Sequence, residues 1–172
     1  MLRRLTTFLA LTVAVLMCRF AVAQKATVTF CSPPEKIAHQ ALDAVAVDGS
    51  MPFFGNLFDG DHRLAHLSRG NFVSFELPAG QHVFSGTTKD HASKQYTLTL
   101  DVKTGGQYFV RLMSKSHSAI VVPVLFVEPQ LESVACSTAV NENARSQPLE
   151  AKHVSKDAQA LVVRAANSLS CP

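Results

Sequence analysis

Apolar and polar residues alternate along several short stretches in the middle of the chain. In residues 96–102 an apolar side chain occupies every second position, with threonine or aspartate between, and residues 71–77 show the same pattern. A period of two is typical of a strand with one face in the core and the other in water. Turn-forming residues separate these stretches, which favours antiparallel neighbours. The turns are Val47-Asp48-Gly49, Pro78-Ala79-Gly80 and Gly105-Gly106.

The pattern predicts an all-β chain, an antiparallel β-sandwich of about seven strands with a short C-terminal helical segment. The strands are expected at residues 26–30, 44–47, 71–77, 81–87, 96–102, 107–113 and 119–127. Pro123 cannot donate a ladder hydrogen bond, so the last strand should lie at an edge or be bulged. Residues 56–70 are interpreted as a polar loop between strands. The expected core includes Val73, Phe75, Leu77, Tyr96, Leu98, Leu100, Tyr108 and Val110.

The chemistry changes after Pro129, where alanine, serine, glutamate and asparagine become frequent. Val154, Ala158, Leu161 and Ala165 then follow one another at three- and four-residue spacing. This spacing predicts a helix with one weak apolar stripe. Such a stripe ordinarily docks on the domain that precedes it, and a partner-binding helix is the alternative.

The first residues have the pattern of a secretory signal peptide. Arg3 and Arg4 precede an apolar run, and Ala21-Val22-Ala23 supplies the small residues of a cleavage site before Gln24. The uncharged run is too short for a membrane span, which needs about 20 residues. Lipidation at Cys18 is a rival, but Met17 is larger than the residue such a signal prefers. The expected organisation is residues 1–23 signal peptide, 24–136 β-sandwich domain and 137–172 helical or flexible tail, in a secreted or periplasmic protein.

The charge of the chain limits the classes of partner it can bind, and its cysteine content bears on the cellular compartment. Cleavage removes three of the 16 lysines and arginines, leaving as many as the 13 acidic residues, and no basic stripe remains for nucleic acid. The exported chain keeps Cys31, Cys136 and Cys171. An oxidising compartment favours one disulfide with one cysteine left over. We expect Cys31 to pair with Cys136, because both flank the predicted strands, and Cys171 to be free.

Few residues suggest chemistry. His62 and His66 are four apart, with Asp59 and Asp61 beside them, and this spacing is a weak candidate for a metal site. The metalloprotease motif is missing, so solvated histidines are the preferred interpretation. No serine stands in a Gly-x-Ser-x-Gly turn, and no phosphate-binding loop is present. The sequence therefore predicts no catalytic residues and no cofactor.

Three short motifs resemble an uncharacterised family of bacterial envelope and secreted β-sandwich proteins. They are a strand ending in Val47-Asp48-Gly49, a hairpin at residues 78–82 and a strand start at residues 105–109. The family pattern is VDG, PGxH and GxxYY, and PEGA-type surface domains have similar turn motifs between their strands. The resemblance covers about residues 26–150, implies a sandwich fold, and carries no functional residues.

Two functions from different classes are left open. The first is a non-catalytic exported envelope module that binds an unknown protein or cell-envelope component, with no transmembrane span after cleavage. The second is a small-ligand or carbohydrate carrier that uses residues 53–58, where Phe53, Phe54 and Phe58 cluster, as a stacking platform. A surface patch of aromatic rings would favour the carrier, whereas burial of those rings would favour the first function.

Overall fold

A computed structural model of the chain describes residues 25–34, 37–38, 49–52, 55–87, 96–118, 125–163 and 168–171. The expected signal peptide and the expected strand at 44–47 lie outside these residues, as do residues 119–124 of the last expected strand. The fold below concerns the described residues.

Eleven strands are present in the described part of the chain, and nine of them are longer than two residues. One α-helix and two short 3-10 turns are also present within the described residues, so the expected all-β class is confirmed at the level of a two-sheet, mostly β fold. The strands are β1 Lys25–Ser32, β2 Ile37–Ala38, β3 Gly49–Pro52, β4 Gly55–Asp59, β5 His62–Leu67, β6 Asn71–Pro78, β7 Gly80–Thr87, β8 Tyr96–Val102, β9 Gln107–Ser118, β10 Leu125–Val134 and β11 Gln147–Pro148. The helix α1 is Cys136–Glu142, and the 3-10 turns are Ala151–His153 and Gln159–Leu161.

The strands form two sheets. The first, sheet A, has the order β11-β6-β1-β9-β3-β2, with β10 also paired to β9, and the second, sheet B, has the order β5-β4-β7-β8. Most neighbours are antiparallel, but β1 runs parallel to β9 and β11 runs parallel to β6. The expected count of about seven strands is therefore wrong, whereas the expected, mostly antiparallel pairing is interrupted only by these two parallel pairs in the described residues. The parallel pairing joins segments far apart in the chain, and no local turn signal announces it.

The core lies between the two sheets and is built on phenylalanine. The Phe30 ring is fully buried and meets the rings of Phe75 and Phe84 edge-on, with centroids 6.1 and 4.9 Å apart. Edge-to-face pairs of this kind add to the stability that burial provides. The expected core is confirmed for Val73, Phe75, Leu77 and Val110, whereas Tyr96, Leu98, Leu100 and Tyr108 are only partly buried.

The segment interpreted as a polar loop, residues 56–70, is instead mostly the β4–β5 hairpin. Its inner face carries Leu57, Ala65 and Leu67, all fully buried. A bulge between Leu57 and Phe58 breaks the alternation that would have marked the strands. Gly60 makes the turn with a φ of 53°, a conformation that glycine adopts without strain.

The expected helix over residues 154–165 is wrong, and its residues up to 163 instead form turns and extended backbone. Val154 makes an antiparallel bridge to Ala65 of β5, and Val162 makes one to Phe75 of β6. Val154 and Ala158 are buried against the core. The segment therefore docks on the sandwich as expected, although it is not helical. Tertiary pairing has overridden the helical spacing, as weak propensities allow.

We call residues 147–163 the strap, because they cover one edge of each sheet. Gln147 and Pro148 pair with β6, the Ser155 amide donates to the Leu64 carbonyl of β5, and the Val163 amide donates to the Ser74 carbonyl of β6. Unpaired sheet edges recruit other chains, and covering them is a common protection. The strap closes the β5 and β6 side of the sandwich.

A second, smaller apolar cluster lies on the outer face of sheet A. Cys31, Phe72, Phe109 and Ala139 are buried there, with Cys136 and Leu169 packed against them. Helix α1 therefore covers this face, which explains why β6 is buried on both sides and does not alternate strictly.

Candidate functional site

His82, near the start of β7, is a largely buried polar side chain with a contact at each ring nitrogen. Its Nδ1 lies 2.7 Å from Asp59 Oδ2 of β4, and its Nε2 lies 3.0 Å from the Pro78 carbonyl oxygen. The ring stacks on Phe84 with a centroid distance of 5.7 Å and an interplanar angle of 5°. The side chain is 11% exposed. The contact with the Pro78 carbonyl thus closes the turn at residues 78–82, and the contact with Asp59 joins that turn to β4.

An aspartate–histidine pair resembles the orienting half of a catalytic triad, but the bonding here excludes that use. A general base needs one ring nitrogen directed at substrate while the other is held by the carboxylate. In His82 both nitrogens face acceptors within the protein, the Asp59 carboxylate and the Pro78 carbonyl. The pair is a structural clasp, which we call the hairpin clasp.

The motif at residues 105–109 also has a structural explanation. The Tyr108 hydroxyl accepts a hydrogen bond from the Lys103 amide at 2.8 Å, and the ring lies directly over Gly106. A Cβ on Gly106 would lie 2.6 Å from the Tyr108 ring and 2.8 Å from the Lys103 carbonyl oxygen. Gly105 has a φ of 67°, a left-handed conformation that glycine adopts without strain. Gly105 is therefore required by the turn, whereas Gly106 is required by the close approach of the Tyr108 ring.

His62 and His66, the weak metal candidates, do not converge. They lie on a strand, where four residues span about 13 Å, and not on the helical turn that would place them together. His62 is exposed, as expected, but His66 is half-buried and bonds through Nδ1 to Asn56 Oδ1 at 3.1 Å. Among the described residues no three histidine, cysteine, aspartate or glutamate side chains converge on a metal-sized site.

The expected disulfide between Cys31 and Cys136 is wrong. Cys136 at the start of α1 pairs with Cys171, with their Cα atoms 5.8 Å apart. Cys31 is a buried free thiol on β1 and donates a hydrogen bond to the Val110 carbonyl, with Sγ and O 3.6 Å apart. Its place in the middle of sheet A explains the difference, because β1 is flanked by β6 and β9 while the chain end reaches α1.

The environment of Cys31 disfavours a nucleophilic role. Burial, and then the nearby charge of Glu142, raise the pKa of the Cys31 thiol to about 12. A reactive cysteine needs an accessible thiolate, and this one is protonated and enclosed. Cys31 is therefore a packing residue of the outer cluster.

Arg111 forms a charged cluster beside this thiol. It donates to Glu132 on β10 at 2.7 Å and to Glu142 at the end of α1, tying the helix to sheet A. Burial opposes its charge, but the hydrogen bond to Glu132 and the charge of Glu142 outweigh it and raise the Arg111 pKa. The buried Arg111 Nε and Glu142 Oε2 have no hydrogen-bond partner within the described residues.

The alternative carrier surface is only partly described. Phe58 is half-buried on β4 opposite Arg63, while Phe53 and Phe54 lie outside the described residues. None of the helices described is long and apolar enough to cross a membrane.

Comparison with protein-family models, curated proteins and solved structures finds no match to this chain. The resemblance to envelope and PEGA-type domains therefore stays an expectation. His82 is the functional-looking residue that the sequence interpretation missed, because its partner Asp59 was assigned to a loop. The Asp59-Gly60 pair, which follows the apolar Leu57 and Phe58, is a hairpin signal that could have revealed the connection.

Proposed function

We propose that the protein is a non-catalytic exported module of the cell envelope that acts by binding a protein partner through one side of its sandwich. The observation that carries the proposal is the hairpin clasp. His82 and Asp59 have the composition of an acid–base dyad, but the imidazole Nδ1 contacts the Asp59 carboxylate of β4 and Nε2 contacts the Pro78 carbonyl oxygen of β6. These two contacts hold the β6–β7 turn and β4 together, which suits a rigid scaffold.

Export is supported by two independent features. The first residues have the pattern of a cleavable signal peptide, and Cys136 is joined to Cys171. Disulfides persist in oxidising compartments such as the periplasm and the extracellular space. The intact mass of the exported protein tests this part, because the chain should begin at Gln24. A species that begins at a lipid-modified Cys18 would contradict it.

The distribution of sheet edges favours β8 as the partner surface. The strap covers β5 and β6, and the outer strand β10 carries Pro129 and Glu132, which discourage strand addition. Within the described residues β8 pairs with β7 alone. Such an edge can accept an extended segment of another protein as an additional strand.

The outer face beside this edge is also suited to contact. Val83 on β7 is 41% exposed and is the exposed large apolar side chain of the described chain. It lies directly opposite Thr99, and Thr97 and Asp101 on the same face of β8 are exposed. An apolar side chain bordered by threonines offers both burial and hydrogen bonds to a partner.

Site-specific photo-cross-linking tests the binding surface. A benzophenone side chain at Thr99 should give one discrete protein adduct in intact cells. The same group at Lys152, which is exposed in the strap beside β5 at the opposite edge of sheet B, is the matched control and should give none. Equal adducts at both positions, or none at Thr99, would contradict a β8 partner surface.

A further inference from the structure

Strand β8 lacks the features that usually protect the edge of a sheet. It contains no proline and no lysine, and its pairing with β7 is regular over all seven residues from Tyr96 to Val102. Natural edge strands are often blunted by such residues or by bulges, because an open edge pairs with other chains. Strand β10 of sheet A lies close to β8 but forms no ladder with it. Within the described part of the chain, the outer edge of β8 is therefore open to an additional strand.

The inner side chains of β8 are incompletely covered. Leu98 and Leu100 pack against the core but are only partly buried, whereas Val102 at the end of the same strand is 1% exposed. An apolar side chain on an edge strand lacks a neighbour on one side. Covering it with apolar atoms is favourable in proportion to the area removed from water. The two leucines are therefore a second indication, separate from the open backbone edge, that a strand is added beside β8.

We propose that the added strand is β8 of a second copy of this chain, so that two chains form an antiparallel dimer about a two-fold axis at Thr99. This inference rests on the proposed function, because it names the partner of the same β8 surface. Thr99 is the middle residue of the strand, and pairing centred there is the register that uses all seven residues of both copies. Each Thr99 is then opposite Thr99 of the second copy.

The sequence of β8 is complementary to itself in this register. On the inner face, Leu98 is opposite Leu100 of the second copy, so the two partly buried leucines cover each other. On the outer face, Asp101 is opposite Thr97 of the second copy, whose hydroxyl can donate to the carboxylate. Cross-strand apolar pairs and hydrogen bonds stabilise a sheet, whereas like charges directly opposite destabilise it. Asp101 is the one charged residue of β8, and this register places its two copies at opposite ends of the paired strands.

The pairing is closed, because both copies use the same strand. A two-fold contact of this kind ends with two chains, whereas a contact between two different edges can continue into a filament. The strap covers the β5 edge at the far end of sheet B. The joined sheet therefore has the order β5-β4-β7-β8-β8-β7-β4-β5, with a strap at each end. Dimerisation removes the open β8 edge from both copies and creates no new one.

Sedimentation velocity of the exported chain over a range of concentrations tests the proposal, with substitutions of the exposed Thr97 as the probe. Residues four apart on a strand lie about 13 Å apart, so a side chain at position 97 cannot pair with Asp101 of its own chain. Thr97→Lys should lower the dimer dissociation constant at least about threefold, and Thr97→Glu should raise it by at least about the same factor. Gln159→Glu adds the same charge at an exposed position of the strap, and this matched control should stay within about twofold of wild type.

Two further results separate this proposal from the broader one. In an Asp101→Asn background, Thr97→Lys should no longer tighten the dimer, because its partner charge is gone. The benzophenone group at Thr99 should give an adduct with the mass of two copies of the chain. An adduct with a different protein, from a chain that sediments as a monomer up to about 1 mM, would overturn the second copy as partner and leave the β8 surface in place. A dimer that ignores both charge changes at Thr97 would also overturn the pairing, whereas absence of any Thr99 adduct would refute both proposals.

Discussion

Replacing Cys171 with serine opens the disulfide that closes the C-terminal part of the chain. Cys136 and Cys171 are 35 positions apart, and the loop between them includes α1, β11 and the rest of the strap. Serine is close to cysteine in size, so the change removes the cross-link with little change in packing. We expect Cys171→Ser to fold but to be less stable.

The loss follows from the freedom that the cross-link removes from the unfolded chain. For a closed loop of this length the chain-entropy relation gives about 3.8 kcal/mol at 25 °C. The strap would stay in place in the variant, because Val154 and Ala158 remain buried in the core. The expected result is a lower midpoint of unfolding in urea, with a steeper dependence on urea because the unfolded chain is less compact without the cross-link.

Urea unfolding of the wild type and of the three single cysteine variants, with and without reductant, distinguishes the Cys136–Cys171 pairing from the expected Cys31–Cys136 pairing. Cys136→Ser and Cys171→Ser should lose the same stability, and reduction should bring the wild type to their level without affecting them further. Peptide mapping without reductant should recover Cys136 linked to Cys171. If Cys31→Ser lost the stability of a cross-link while Cys171→Ser lost none, the pairing argued here would be refuted.

Three further predictions concern the core, the free thiol and the glycine turn. Leu57→Ala, at a fully buried position, should lower the free energy of unfolding by about 2–5 kcal/mol, whereas Leu98→Ala, which is only partly buried, should lower it less when both are measured in urea. Cys31 should resist alkylation at pH 8 in the folded protein and react after unfolding. Burial raises the pKa of the Cys31 thiol from 9.0 to about 12, so the stability that the protonated thiol contributes is complete below pH 9 and is lost as the pH rises toward 12. Cys31→Ala should lack this decline in the free energy of unfolding. An equal decline in wild type and variant would contradict the assignment. Gly106→Ala should lower the thermal midpoint because its Cβ collides with Tyr108, and a variant as stable as wild type would show that the turn relaxes.

The sequence pattern predicted those strands whose two faces meet different surroundings. β8 alternates cleanly because its inner residues contact the core and Thr97, Thr99 and Asp101 face outward. The β4–β5 hairpin was missed because its bulge shifts the alternation at Leu57 and its outer face is polar. In both cases the fold follows the burial of a face, but only in the first is that burial regular along the chain.

Long-range pairing was the part that the sequence could not predict. Three cysteines allow three pairings, and only the packing of the chain end against α1 selects Cys136 with Cys171. The hairpin clasp likewise depends on the register of β4 against β7. Spacing along the chain favoured a helix at Val154, whereas the contacts across the sheet edge made it extended.

The central position of β1 has a consequence for the order in which the chain can fold during synthesis. β1 emerges first, but its two neighbours in sheet A begin only at Asn71 and Gln107. No native sheet can form around it until both have appeared, and this delay is characteristic of topologies rich in non-local contacts. The strap follows β1–β10 in the chain, so a nascent or truncated chain that ends before Gln147 leaves the edges of β5 and β6 uncovered. A premature stop there would create an aggregation hazard, so docking of the strap is the step that ends the exposure of these two edges.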